Sequence, residues 1–170
     1  MKQYNSPVAA ADALYRSYRT RDPDRLAREL DITVYEVDFK HQKGAYKYYA
    51  RNAYIFLRRD LDPVMRSIVL FHEIGHHVMH RREAVQRGGF REFTIFDMQS
   101  SRMEYEANVF AAQMMLPDDE VLEYIEGGYD SAAIARAMHS DINLVALKVA
   151  ELNTRGFRFR ALASQNRFLK

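Results

Sequence analysis

The stretch Phe71-His72-Glu73-Ile74-Gly75-His76-His77-Val78-Met79-His80 constrains this chain more than any other. It sets two histidines four residues apart in an apolar run of helical character, and side chains at that spacing leave an α-helix on the same side. At about 100° per residue, His76 lies roughly 40° around the helix from His72, whereas Glu73 lies about 100° from it. The two imidazoles can converge on one metal ion while the carboxylate projects beside it, close to a metal-bound water and badly placed to bind the metal. Hydrolysis needs that division of labour: neutral imidazoles hold Zn²⁺, the metal lowers the water pKa towards about 7, and Glu73 takes the proton. His80 is about 12 Å along the axis from His72, too far to share a zinc–nitrogen bond length of about 2.0–2.1 Å unless the helix breaks before it. His77 turns away by a further 100° or about that. The bland alternative is a buried helix with incidental histidines. Against it, four of the six histidines fall within nine residues of one apolar run.

With 170 residues, the chain suits one domain large enough to bury a core without staples. It has no cysteine, which excludes disulfides and thiolate ligands, so zinc here is held by His and carboxylate. The lack of cysteine also fits the cytoplasm. No apolar leader follows Met1-Lys2-Gln3 and no run approaches 18 apolar residues, so neither export nor a membrane span is expected. A formal charge of +2 makes no demand for a nucleic-acid partner.

Along the chain, Ser6-Pro7 and Asp22-Pro23 each read as a helix start, and residues 32–39 read as a strand. Residues 44–49 and 53–57 read as two strands joined through Arg51-Asn52. The second, with Tyr54, Ile55 and Phe56, is expected to offer an edge on which an extended peptide substrate docks by main-chain hydrogen bonds. Asp62-Pro63 caps the metal helix, which is expected over residues 63–80 with Arg81-Arg82 at its end. Gly75 costs about 1 kcal/mol against Ala in mid-helix, so it is read as permitting close backbone packing, against the sheet. From 83 to 101 the pattern weakens around Gly88-Gly89, and a lid or an insertion without a role both fit.

Two histidines on one helix need a third protein ligand from elsewhere, leaving one position for water. The helix opening at Arg102 and stopped by Pro117 carries the candidates Glu104 and Glu106, with Asp97 as an outsider before it. Glu104 and Asn108 are four apart and share a face, which could set a carboxylate on the metal and an amide against a ligand imidazole. Glu106 points about 200° away, so only one of the two can be the ligand, and Glu104 is preferred.

His72-Glu73-Ile74-Gly75-His76, followed by Glu104-x-x-Ala107-Asn108-x-Phe110-Ala111 and by Met115-Leu116-Pro117, resembles the ImmA/IrrE metallopeptidases. The likeness spans roughly residues 10–155. It implies a small α+β, zincin-like fold in which a short β-sheet packs on the active-site helix and further helices follow. It implies His72, His76 and Glu104 as ligands of one Zn²⁺ and Glu73 as the catalytic base. Members often sit in prophages and conjugative elements, where as anti-repressor proteases they cleave a helix-turn-helix repressor and so control transcription. The family often has Leu-Leu-Met-Pro where this chain has Met114-Met115-Leu116-Pro117, a conservative exchange.

Beyond Pro117, helices are expected from Asp118, from Asp130-Ser131 and over about 143–155. The last two resemble a helix-turn-helix in spacing, but residues 144–152 offer only Lys148 as a base, so the pair reads as packing or substrate docking and not as a DNA reader. Residues 1–156 are expected to form one domain, including this helical pair within 118–156, followed by a basic tail at 157–170. The chain is thus read as a zinc endopeptidase acting on a repressor protein, the competing class being a zincin-fold module that sequesters a regulator without cutting it. An intact Glu73 beside both histidines argues for the enzyme.

Overall fold

A computed structural model describes residues 4–87, 90–92 and 102–159, with only the backbone described at 87 and 90–92. Asp97 and the tail from 160 onward lie outside these residues, as do 88–89 and 93–101 of the proposed lid segment. Two N-terminal helices, α1 (Pro7–Tyr18) and α2 (Pro23–Glu29), begin where Ser6 and Asp22 accept hydrogen bonds from the Ala9 and Arg25 amides. Proline at the first helical position loses no hydrogen bond there, so both starts are encoded locally. Three strands follow, β1 (Ile32–Val37), β2 (Gly44–Tyr49) and β3 (Asn52–Arg58).

The hairpin between β2 and β3 closes on Ala50 and Arg51, one residue earlier than expected, with φ of 49° and 68°. Two successive left-handed residues form the tight loop whose twist matches paired strands, and Asn52 steadies it by donating to the Ala50 carbonyl. The order of the sheet is β1-β3-β2-β4, where β4 (Phe90–Glu92) is short. β1 runs parallel to β3, while β2 is antiparallel to both β3 and β4.

This order corrects the expected docking edge. β3 is paired on both sides from Ala53 to Leu57, so Tyr54, Ile55 and Phe56 lie on no open edge where a peptide could dock. Ile55 is fully buried, with Ala53 and Leu57, in the face turned to the helices. Tyr54 and Phe56 turn to the opposite face, where both rings stack on Tyr35.

The helix α3 (Pro63–Met79) packs under β2 and β3, capped by Asp62, whose carboxylate accepts from the Met65 amide at 2.9 Å. It is almost entirely buried from Ile68 to Val78, and Arg66 ties its outer start to Asp24 and Glu36. α3 ends one residue sooner than expected. Arg81 and Arg82 do not close it but open a separate helix, α4 (Arg81–Arg87). After the segment from 93 come α5 (Arg102–Met115), α6 (Asp118–Glu126), α7 (Ser131–Ala137) and α8 (Ile142–Thr154). α5 lies between α3 on one side and α1 and α8 on the other. The α7–α8 pair is packed into the core through Ile134, Leu144, Val145 and Leu152. Lys148, its one central base, is buried against Gln113 and Asp118.

Gly75 packs on α5 and not on the sheet. A Cβ there would lie 3.3 Å from the Ala107 Cα and 3.2 Å from the Phe110 ring, so the missing side chain sets the separation of α3 and α5. That separation decides what their facing side chains can share. No described helix is long and apolar enough to cross a membrane.

Candidate metal centre

His72 and His76 stand one turn apart on the face of α3 turned to α5, and Glu104 comes from the first turn of α5 to meet them. Glu104 Oε2 is 3.1 Å from His72 Nε2 and 3.2 Å from His76 Nε2, and the two nitrogens are 3.0 Å apart. Among the described residues these are the three metal-binding side chains whose donor atoms gather within 4.8 Å of one another. A tetrahedral ion with bonds of about 2.0–2.1 Å sets its ligand atoms about 3.3 Å apart, so the triangle is the right size for one small cation.

The protonation states fit as well. Asn108, one turn along α5 from Glu104, presents Oδ1 at 2.8 Å from His72 Nδ1. An amide oxygen only accepts, so His72 Nδ1 carries a proton, and in that tautomer Nε2 is the nitrogen left to offer a lone pair to a cation. The His76 imidazole is pushed down to about 4, first by burial and then by the neighbouring histidines, against the opposing pull of Glu104, and it is neutral at pH 7. Burial alone would raise the Glu104 carboxyl, but its contacts with His72 and His76 outweigh that and hold it below its usual range. Two imidazole nitrogens and an ionised carboxylate aimed at one point could hold a cation. With no cysteine in the chain, the donor set of two nitrogens and one oxygen suits zinc.

Glu73 follows His72 on the same helix and is fully buried. Its carboxylate lies under β2, where a Cβ on Gly44 would come within 2.6 Å of Glu73 Oε1. Glu106 points elsewhere on α5, as its offset from Glu104 requires, and its Oε2 is 3.0 Å from His80 Nε2. His80 is the residue that ends α3, and its ring folds back so that Nδ1 lies 3.1 Å from His76 Nδ1. His77 faces the sheet. Its Nδ1 is 3.1 Å from the Tyr46 hydroxyl and its Nε2 accepts from Arg81. Burial, and then the Arg81 charge, take its pKa down to about 3.

Residues 27–150 match the IrrE N-terminal-like domain of a peptidase family. This chain belongs to that family. The match runs from α2 into α8 and so includes the sheet, α3 and α5. The chain is also 36% identical over 122 residues to "Uncharacterized immunity region protein 2" of Bacillus phage phi105, across 71% of this chain and 75% of that protein. Membership agrees with the mixed α+β, zincin-like architecture, with its small sheet laid over the histidine-bearing helix.

Sequence reasoning passed over one feature of the site. The sequence admits His80 to the metal only if the helix breaks before it and prefers Glu104 to Glu106; α3 does end at Met79, yet His80 and Glu106 pair with each other behind His76. The available signal was the spacing of His76 and His80, four residues apart, which sets the two rings beside each other on one face.

Proposed function

We propose that this chain is a zinc-dependent endopeptidase that cleaves a helix-turn-helix repressor of a phage or conjugative element and so switches on that element's genes. The observation that carries the reading is the pairing of three inward-facing donors, His72, His76 and Glu104, with a buried carboxylate, Glu73, one residue along the same helix. A zinc ion held by those donors supplies Lewis-acid polarisation of water and of a peptide carbonyl. Asn108 keeps His72 in the tautomer that faces the ion. Glu73 takes the proton from the attacking water and hands it to the departing amine. Its burial keeps bulk water from competing for that carboxylate. The relative from a phage immunity region supports a regulatory protein as the substrate.

The test is co-expression of a repressor encoded beside this gene with the wild-type chain or with Glu73→Gln, followed by mass spectrometry. Fragments are expected with wild type alone, with Glu73→Gln slowed by about 10²–10⁴-fold while it retains zinc. An intact repressor held in a stable complex by both zinc-loaded proteins would overturn proteolysis in favour of sequestration.

A further inference from the structure

The two ligand histidines are held differently. His72 rests on the Asn108 amide, while His76 leans on a second imidazole that itself leans on a carboxylate. We infer that His80 and Glu106 form an orienting relay, Glu106–His80–His76, that fixes the tautomer and ring direction of the second metal ligand. This rests on the reading above that His76 binds the metal.

The tautomers follow from the geometry. His76 Nε2 points at Glu104 and His72, so the ring carries its proton on Nδ1 when Nε2 gives its lone pair to a cation. That Nδ1–H meets His80 Nδ1 at 3.1 Å, which can only accept, so His80 carries its proton on Nε2. The Nε2–H then donates to Glu106 Oε2 at 3.0 Å, while Glu106 Oε1 accepts from Arg102 at 2.7 Å. Each hydrogen bond has one donor and one acceptor in a single direction, from the metal ligand outward to the anion. A carboxylate commonly backs a ligand imidazole directly; here an extra imidazole carries the same polarisation across one more ring.

The elements make this possible. α3 stops at Met79, and His80 takes φ −119° and ψ 22° as its C-cap, bringing the ring back over the preceding turn. His80 is buried, as a directional contact requires, and both it and Glu106 border a cleft of about 310 Å³ between the start of α1 and the α3–α4 corner. Glu104 and Glu106 leave α5 on different sides of His76, so one helix supplies both a ligand to the ion and the anion behind the relay.

Two measurements test it. Imidazole ¹⁵N spectra of the zinc-loaded wild type are expected to place the His76 proton on Nδ1 and the His80 proton on Nε2; a His80 proton on Nδ1 overturns the relay. Zinc affinity of the apo proteins, by chelator competition, is expected to fall about 10–100-fold in His80→Phe and in Glu106→Gln. His80→Gln, whose amide oxygen can accept from His76, is expected to recover most of the loss. Equal zinc affinity in wild type and His80→Phe overturns the proposal. His76→Ala separates the two levels. If it binds zinc as tightly as wild type, the metal centre itself is misassigned; if it alone loses zinc, only the relay fails.

Discussion

Gly44 is the residue at which the sheet touches Glu73, the proposed base. It needs no unusual backbone conformation, so its role is space: a Cβ there would lie 2.6 Å from both Glu73 Oε1 and the Val69 side chain. The carboxylate is a flexible end and can retreat, but Val69 belongs to the buried face of α3 and has nowhere to go. Gly44→Ala is therefore expected to keep its zinc and lose at least about tenfold in kcat, because a base displaced by about 1 Å loses its alignment. Metal content and cleavage rate measured on the same sample check this; normal turnover would show that the carboxylate acts from a position the glycine does not guard. The sequence gives no warning of this role, since Gly44 reads as the first residue of a strand.

At the level of elements, the site depends on how closely α3 and α5 approach. Gly75 is in contact distance of the Ala107 backbone, which cannot move without carrying Glu104 away from the histidines. Gly75→Ala gains about 1 kcal/mol of helix propensity but overpacks the contact at a cost of about 1–3 kcal/mol. The expected result is a modestly less stable apo protein with clearly weaker zinc binding, read from thermal melts in chelator and from competition titration. A more stable variant with unchanged affinity would mean that the two helices have room to spare. The close packing around Gly75 was legible from a glycine in mid-helix. Its partner was not, because a missing side chain marks a close approach without saying which backbone approaches.

Across the whole molecule, a buried polar chain fastens the C-terminal helices to the site-bearing helix. Gln113 of α5 donates to Asp12 of α1 and accepts from Lys148 of α8, which also pairs with Asp118 at the start of α6; Arg155 pairs with Asp118 in turn. Burial would raise the Asp118 carboxyl, but Arg155 and Lys148 outweigh it and bring it down to about 2. Its folded pKa lies below the ordinary 3.8, so the stability it contributes is complete above about pH 4 and is lost as pH falls through about 2. Denaturant titrations across that window are expected to decline in wild type and to flatten in Asp118→Asn. At pH 7, Asp118→Ala strands the Lys148 charge and is expected to cost about 3 kcal/mol, whereas Lys148→Met is expected to be nearly neutral. The sequence showed Lys148 only as a weak argument against DNA reading. Its partners lie 30 and 35 residues away, beyond any periodicity.

What the sequence determined by itself is the chemistry that one helix can write: His72 and His76 on one face, Glu73 beside them, capped starts at Ser6, Asp22 and Asp62, and an α5 bounded by Pro117. These rest on contacts within about four residues, where spacing fixes direction. Only the tertiary structure decided that Glu104, the carboxylate preferred from the sequence, reaches the histidines, that His80 and Glu106 stand together behind His76, and that β3 lies inside the sheet. A strand's own pattern says which face is buried but not which strands flank it. Likewise, the sequence prefers Glu104 over Glu106 through the face it shares with Asn108, but the angle at which α5 settles on α3, set by side chains distant in sequence, is what brings that face to the histidines.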